Sequence, residues 1–452
     1  MKTYQDLLEV GQDENARMSF VLTAIDEHER SQPYCIARDA ELYDRRLNPT
    51  IRTYQRILYT VTGQAVEDPF RANHKLASGF FPRFVNQQNQ FLLGNGVTLQ
   101  NADNKKRLGV DFDRKLQRLG HAAIVGGVSF GFWNLDHLEV FRLTEFVPLY
   151  DENNGALMAG IRFWQVSKNK PLRATLYELD GYTDYIKDDD EKMRVLAEKR
   201  NYILHIAHSE IDGTEIFDGE NYPSFPIIPL WCNQNHQSEL VGIREAIDSY
   251  DLIKSGFAND LDNASMIYWV LQNTGGMDDI DLSRFLDRLH TVGAAVVDGD
   301  SGVKADAHTI DVPYQSRVSY LEKLEADMYA DFQALDVTKL FGGQKTATEI
   351  QAAYEPMNMK ADLFEYCVDE FLEDLFKLVG IEDTPTFIRD MISNQLEYTQ
   401  MILLAAPQIG DDMVLKKLPW LTQEEVEAIK AERDAEELSL MNYGGGDGGD
   451  ET

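Results

Sequence analysis

The sequence predicts an α+β protein that is mainly helical, and three observations carry that expectation. Two long segments, one beginning at His236 and one running from about Tyr314 to Leu335, repeat apolar residues every three or four positions, as amphipathic helices do. Between Phe130 and Leu230 the spacing changes to period two, the pattern of half-buried strands. A third helical pattern follows Thr346 and runs to Gly380.

Composition bounds the function. A chain of 452 residues exceeds what one hydrophobic core organises, so about three domains are expected. Lys and Arg number 43 against 76 Asp and Glu, a formal charge of −33. That balance argues against wrapping nucleic acid by phosphate neutralisation. An acidic wall repels phosphates, which suits a conduit better than a binder. Cys35, Cys232 and Cys367 are odd in number and far apart, which fits reduced thiols and no zinc site. Lys2, Asp6 and Glu9 interrupt any signal-like apolar stretch. No apolar run approaches the ~20 residues of a membrane span, so a soluble intracellular protein with no membrane partner is expected.

In chain order, residues 1–32 read as two helices, the second carrying Met18, Val21, Leu22 and Ile25 and stopping before Pro33. Asp39 to Leu47 is helical and ends at Asn48-Pro49. Phe80, Phe81, Phe84, Val85, Phe91 and Leu92 mark a core-facing helix, closed by glycine at Gly94-Asn95-Gly96 and followed by a short strand at Val97-Thr98. The small residues Ala122, Ala123, Gly126 and Gly127 imply close packing, and their spacing does not make a GxGxxG dinucleotide fingerprint. Strands follow at Leu138–Val140, Ile161–Val166, Arg173–Leu179 and Tyr202–Ile206, with turns at Asp151–Gly155, Asp180-Gly181 and Asp212-Gly213. Asp188–Glu191 reads as a solvated turn. His205 and His208, three apart in a strand, face opposite ways and cannot share a metal.

The first long helix carries Leu240, Ile243, Ile247, Tyr250, Phe257, Leu261 and Ala264 on one stripe, with Glu239, Glu245, Asp248, Asp251, Asp260 and Asp262 on its other faces. About 27 residues make a rod of roughly 40 Å. The returning helix repeats the pattern with Val318, Leu321, Leu324, Met328, Phe332 and Leu335, so an antiparallel pair is expected. Between them lie a strand at Met266–Leu271, a helix at Asp281–His290 with Phe285, Leu286 and Leu289, and strands at Ala294–Val297 and Thr309–Val312. That module is too small to stand alone and is expected to complete its sheet with neighbouring chains, Trp269 serving either its core or a contact between chains.

Gly343-Gln344-Lys345-Thr346 lacks the GxxxxGK[ST] spacing of a phosphate-binding loop. Thr346 and Glu349 instead form a capping box. The helix it opens carries Ile350, Tyr354, Met357, Phe364, Phe371, Leu375 and Val379, with a kink expected at Pro356. Ile381 to Leu440 reads as helical and acidic, punctuated by Pro385, Pro407 and Pro419, with a second capping box at Thr422–Glu425 and a disordered acidic end from Gly444. HExxH, an intact EF-hand and a Ser/Cys/His constellation are all missing; Asp298–Gly302 starts like a calcium loop but has Val303 where glycine belongs. No enzyme activity, metal or cofactor is expected. The competing readings are a metal-dependent hydrolase built on carboxylates and an intracellular adaptor or scaffolding protein.

Four stretches bear a family likeness: Asn73-His74-Lys75-Leu76 with Gln90–Val97; Val147–Asp151 with Ile161–Trp164; Ile228-Pro229-Leu230 through Asn233, Asn235, Ser238, Leu240, Ile247-Asp248, Tyr250-Asp251, Ser255 and Asn259-Asp260; and Phe341-Gly342-Gly343 with Thr348-Glu349. Through them the chain resembles the portal (head–tail connector) proteins of tailed bacteriophages, siphophage type. The third stretch is the most specific, and the likeness runs from about Asp39 to Gly380. It departs at Lys345-Thr346, where the family often has Ser-Gly.

The resemblance implies a portal fold: a wing at 1–235, stem helices at 236–265 and 313–335, a clip at 266–312, a tunnel loop at 336–346, a long kinked wing helix at 347–380, a crown at 381–440 and an acidic tail at 441–452. It implies a homo-dodecameric ring at one capsid vertex of the virion, assembled in host cytoplasm, through which double-stranded DNA is packaged and ejected. Its partners would be the terminase large subunit, the major capsid and scaffolding proteins, and a head-completion adaptor. Lys339, Gln344 and Lys345 would meet DNA in the tunnel loop, with Gly342 and Gly343 letting it move. Leu240, Ile243, Ile247, Tyr250, Phe257, Leu261, Leu321, Leu324 and Met328 would pack stems between subunits, and Trp269, Phe285 and Leu289 would serve the clip interface.

Overall fold

The structure is a computed structural model that describes residues 1–59, 63–67, 73–187, 192–208, 215–264, 268–272, 304–308, 314–340 and 346–389, with scattered positions between 402 and 430. The chain forms two compact units, Met1–Ala334 with Ala361–Ile388, and Leu335–Lys360 with Arg389–Thr452.

In the first unit, α1 (Tyr4–Val10) begins at a capping box in which Thr3 and Asp6 exchange side-chain and backbone hydrogen bonds. Helix α2 (Glu14–Glu29) follows. Helix α3 (Gln32–Asp44) starts seven residues ahead of the expected Asp39, with Pro33 in its first turn. Proline lacks an N–H that a first-turn residue has no use for, so Pro33 opens α3 as well as ending what precedes it. Next come α4 (Pro49–Thr53), the hairpin β1 (Ile57–Tyr59) and β2 (Ala65–Glu67), and α5 (Phe80–Leu93). Gly94 keeps helical angles, and the left-handed turn that the sequence assigned to this glycine pair falls on Gly96, at φ +74°. Strand β3 (Val97–Thr98), α6 (Ala102–Arg107) and α7 (Phe112–Gly126) complete the helical base.

Among the described residues the period-two region forms ten strands: β4 (Val128–Asn134), β5 (His137–Arg142), β6 (Phe146–Tyr150), β7 (Leu157–Trp164), β8 (Arg173–Glu178), β9 (Gly181–Lys187), β10 (Met193–Arg200), β11 (Ile203–His208), β12 (Glu215–Glu220) and β13 (Ile227–Trp231). They make an antiparallel sheet ordered β10-β9-β8-β7-β6, a second ordered β13-β4-β5, and the pair β11-β12. All four strands read from the sequence are present. Strand β10 escaped because its side chains from Arg194 onward are mostly polar and solvent-facing, which weakens the alternation. Helices α1 and α2 lay Leu7, Phe20, Val21, Ala24 and Ile25 onto the larger sheet, against Val147, Ile161 and Leu176. The α+β expectation holds.

The first rod, α8, spans Arg244–Ala264 and begins eight residues later than His236. The intervening stretch docks on the end of α7. Glu239 N donates to Ile124 O at 3.2 Å, the Ser238 hydroxyl to Val125 O at 2.6 Å, and Cys232 N to Gly127 O at 3.0 Å. Carbonyls at a helix C-terminus need such partners, and Asn233, whose side chain accepts from Asn235 N and Gln237 N, holds the stretch in turns. Gly127, at φ +88°, lies so close that a Cβ there would meet Ser238 N at 2.8 Å. The rod is therefore nearer ~32 Å than ~40 Å.

Strand β14 (Tyr268–Gln272) pairs antiparallel with β15 (Lys304–His308). The partner strand thus lies just ahead of the expected Thr309–Val312, which, with Asp281–His290 and Ala294–Val297, falls outside the described residues. The returning rod α9 (Tyr314–Phe332) ends where Gln333 turns left-handed at φ +60° and Ala334 N reaches back to Tyr329 O at 2.9 Å.

Helix α10 (Val337–Leu340) and the start of α11 (Ala347–Val379) belong to the second unit, and residues from Ala361 onward to the first. The Thr346–Glu349 capping box forms: Glu349 N donates to the Thr346 hydroxyl at 3.3 Å and Thr346 N to the Glu349 carboxylate at 3.0 Å. Pro356 sits inside the helix, which continues through it. Beyond α11 the expected helix does not follow at once: residues 381–385 are neither helix nor strand and β16 (Thr386–Phe387) pairs with β3, whereas the positions described between 402 and 430 are helical, as expected. Pro385 disfavours helix before it, and the Asp383 carboxylate accepts from Gln100 N and Asn101 N, both at 3.0 Å. The second capping box and the acidic end lie outside the described residues, as do Asp188–Glu191 and Asp212-Gly213.

Candidate functional site

The two rods run antiparallel, since the end of α8 meets the start of α9. Arg317 pairs with Asp260 at 2.6 Å, and the rings of Phe257 and Tyr314 stand 5.6 Å apart. The apolar stripe divides along its length. At the base, Leu240, Ile243, Ile247 and Met328 are buried among the first unit's own side chains, with Phe84, Phe332 and Phe364 in the same core. Tyr250 packs edge-on to Phe80 at 5.0 Å. Those four base residues keep almost no surface for a second copy. Farther out, Phe257, Leu321 and Leu324 are half-buried and Leu261 is 51% exposed. Any surface the stripe offers a neighbouring chain is therefore at its far end.

What holds the rod to the base is a ladder that periodicity did not disclose. Asp251 accepts from Ser78 N at 2.8 Å, Ser255 from Leu76 N at 2.9 Å, and Asn259 from His74 N at 2.7 Å. Residues four apart on a helix rise about 6 Å, and residues two apart in an extended chain span about 6.6 Å. The polar spacing of the rod therefore matches every second amide of residues 74–78. The signal was present, in three hydrogen-bonding residues at exact four-residue intervals on a helix otherwise described as acidic.

A second layer lies beneath. Asn48 donates to Asp251 at 2.8 Å and to Asp248 at 3.0 Å; Thr50 and Tyr43 also donate to Asp248. Burial, then the hydrogen bond to Asp248, pushes the Tyr43 hydroxyl up to about 12, so it remains a donor at neutral pH. Burial raises the Asp251 carboxyl above its ordinary value, against the lowering pull of Asn48 and Ser78. Asp251 is fully enclosed and is held by donors rather than by a cation.

Lys339 is exposed on α10, its ammonium 3.3 Å from Asp336. Gly342, Gly343, Gln344 and Lys345 lie outside the described residues, as do Phe285 and Leu289, and for Trp269 only the backbone place in β14 is described. Among the described residues no group of three or more His, Cys, Asp and Glu is arranged to hold a metal ion, and no helix is long and apolar enough to cross a membrane. None of Cys35, Cys232 and Cys367 is joined in a disulfide.

A family model described as "Phage portal protein, SPP1 Gp6-like" matches residues 25–438. The portal protein of Clostridium phage phiCD119 is 24% identical over 414 residues, covering 83% of this chain and 88% of the relative. The portal protein of Bacillus phage SPP1 is 23% identical over 450 residues, covering 89% and 84%. Among solved structures, a chain described under "Virion of native gene transfer agent (GTA) particle" aligns at a TM-score of 0.42 and 13% identity over 77% of this chain and 89% of its own.

Proposed function

Because the chain belongs to the SPP1 Gp6-like family of phage portal proteins, we propose that it closes into a ring, dodecameric in the particle, through which the genome enters and leaves the capsid. As a portal protein it is a head–tail connector of the virion. The stem hairpin supports the ring reading most directly. Its base is locked to the body by the Asp251–Ser255–Asn259 ladder, while its far end leaves Leu261 and half-buried Phe257, Leu321 and Leu324 for a neighbouring stem. Stems fixed at one end and apolar at the other can assemble side by side without refolding the wing.

On this reading the β14-β15 pair at the tip is the docking platform for the packaging ATPase, the terminase large subunit. The capsid and scaffolding proteins meet the ring during assembly in the host cytoplasm, and a head-completion adaptor meets it later. The tunnel loop at 336–346 reaches the DNA, with Lys339, Gln344 and Lys345 as its contacts. The strongly acidic chain, at −33, keeps the passage from binding phosphates tightly. The role proposed is structural, without catalysis or cofactor, and no observation favours the hydrolase or adaptor readings. Replacing Lys339 and Lys345 together by Ala should leave rings intact and lower the DNA retained per particle; unchanged packaging and retention would reject the loop contact.

A further inference from the structure

A ring of identical chains needs two different faces on each copy, because a head-to-tail contact joins one surface to another. Two features of the first unit supply such a pair. One is a concavity of about 550 Å³ between α3, α5, α7 and β5. Its rim holds Arg45, Arg114, Lys115, Arg118 and Arg142 against Glu41 and Asp44, an excess of positive charge on a chain of −33. Arg45 and Arg142 already pair with Glu41, Arg114 with Asp111, and His121 with Asp44. Lys115 and Arg118 make no ion pair among the described residues.

The other feature is the outer face of α11. Phe364, Val368, Phe371 and Leu375 are buried in the core, whereas Tyr366 is 66% and Leu363 50% exposed. Glu370, Glu373 and Asp374 lie exposed around them. An apolar patch holding a tyrosine within a carboxylate rim has the anatomy of a protein contact.

The geometry also places the two features on opposite sides. Gly120 of α7 faces Phe364 of α11, since a Cβ on Gly120 would lie 3.4 Å from that ring. At 3.6 residues per turn, Arg118 lies ~160° around α7 from Gly120, and Tyr366 lies ~160° around α11 from Phe364. The basic concavity and the acidic-apolar face therefore point away from each other across the α7–α11 layer, as a knob and a socket must in a closed ring.

We propose that Tyr366 and Leu363 of one copy seat in the Lys115–Arg118 concavity of the next, with Glu370 and Glu373 pairing to those two cations. This rests on the ring reading above. Repeated at each junction, it neutralises charge where identical acidic chains would otherwise repel, and it places an aromatic beside an arginine, a favourable cation–π partner.

The test is a charge swap on the full-length protein, read by mass photometry, with circular dichroism melts to establish folding. K115E/R118E and E370K/E373K should each melt no lower than wild type yet lose rings at least tenfold. Mixed in equal amounts, the two should recover rings of alternating chains, because each mutated socket then meets a mutated knob; the quadruple variant should recover them too. Folded double variants that form rings as wild type does would overturn the contact while leaving the ring itself intact. So would a K115E/R118E variant that keeps its rings but loses affinity for a double-stranded oligonucleotide, which would make the concavity a phosphate site. If wild type forms no ring at any salt or with scaffold, the ring reading fails and this contact with it.

Discussion

Replacing Asp251 by Ala tests the ladder that fixes α8 to residues 74–78. The carboxylate is fully buried and accepts from Ser78 N and from the Asn48 amide, each at 2.8 Å. Truncation leaves Ser78 N without its acceptor and strips the Asn48 amide of one of its two, Asp248 being the other, in a buried place. An orphaned buried donor costs about 1–3 kcal/mol, so the change should cost ~2–5 kcal/mol. Asp251→Asn should cost less, ~1–2 kcal/mol. Its carbonyl can still accept from Ser78 N, but its amide would face the Asn48 amide, whose oxygen is already engaged by Thr50 N at 2.9 Å. The loss should be local. Native-state hydrogen exchange should show the Ser78 and Leu76 amides opening at least thirtyfold more readily in Asp251→Ala, while amides of β7 and β8 change little. Exchange at Ser78 within a factor of two of wild type would refute the ladder as the anchor.

Three further outcomes follow from particular contacts. Asp369, between Glu365 and Glu373 on α11, is pushed up to about 6 by burial first and by those two carboxylates second. A carboxyl raised in the folded state favours folding below its unfolded value of about 3.9, and that contribution is lost as pH rises through about 6. Asp369→Asn should therefore raise Tm relative to wild type at pH 7.5 and give no such gain at pH 4; an equal gain at both would reject the assignment. Gly120→Ala puts a Cβ 2.6 Å from the Asn89 oxygen and 2.7 Å from Leu93 in a closed core. It should cost ~1–3 kcal/mol by urea denaturation, and a neutral effect would contradict the close approach of α5 and α7. Ile247→Asp buries a charge in the first unit's core and should cost several kcal/mol. Loss of rings should then accompany a collapsed melting transition; a well-folded monomer that merely fails to associate would move Ile247 back to the subunit contact.

Much of the fold was legible because it rests on periodicity. The two rods, the core helix around Phe84 and the strands at Ile161 and Arg173 follow from spacing alone. Where the reading failed, a polar side chain outcompeted the local pattern. The Ser238 hydroxyl and the Glu239 amide tie residues 233–243 to the carbonyls ending α7, so a stretch with helical spacing stays in turns. Asp383 gathers the amides of Gln100 and Asn101, so an apparently helical tail starts outside any helix and adds a short strand. Such captures join residues more than a hundred positions apart and leave no mark in a local window.

The site was legible only in part, for a related reason. An apolar stripe states which face is covered, not by what. Leu240, Ile243 and Ile247 look in sequence like Leu261, yet the first three are covered by the same chain and Leu261 is open. The ladder was missed because Asp251 was counted as one more charge on a solvated face, whereas its spacing to Ser255 and Asn259 matched an extended segment 173 positions earlier. The tunnel-loop glycines and lysine came from position between two rods and from the family likeness, a different kind of warrant from periodicity.

The central claim is a closed ring, and mass photometry of the purified full-length protein at moderate salt, with negative-stain images of the same sample, tests it most directly. The account predicts a dominant species at a ring-sized multiple of 51.5 kDa, about twelve copies by the family likeness, with a central hole. A species that remains monomeric across salt concentrations and with scaffolding protein present would contradict it.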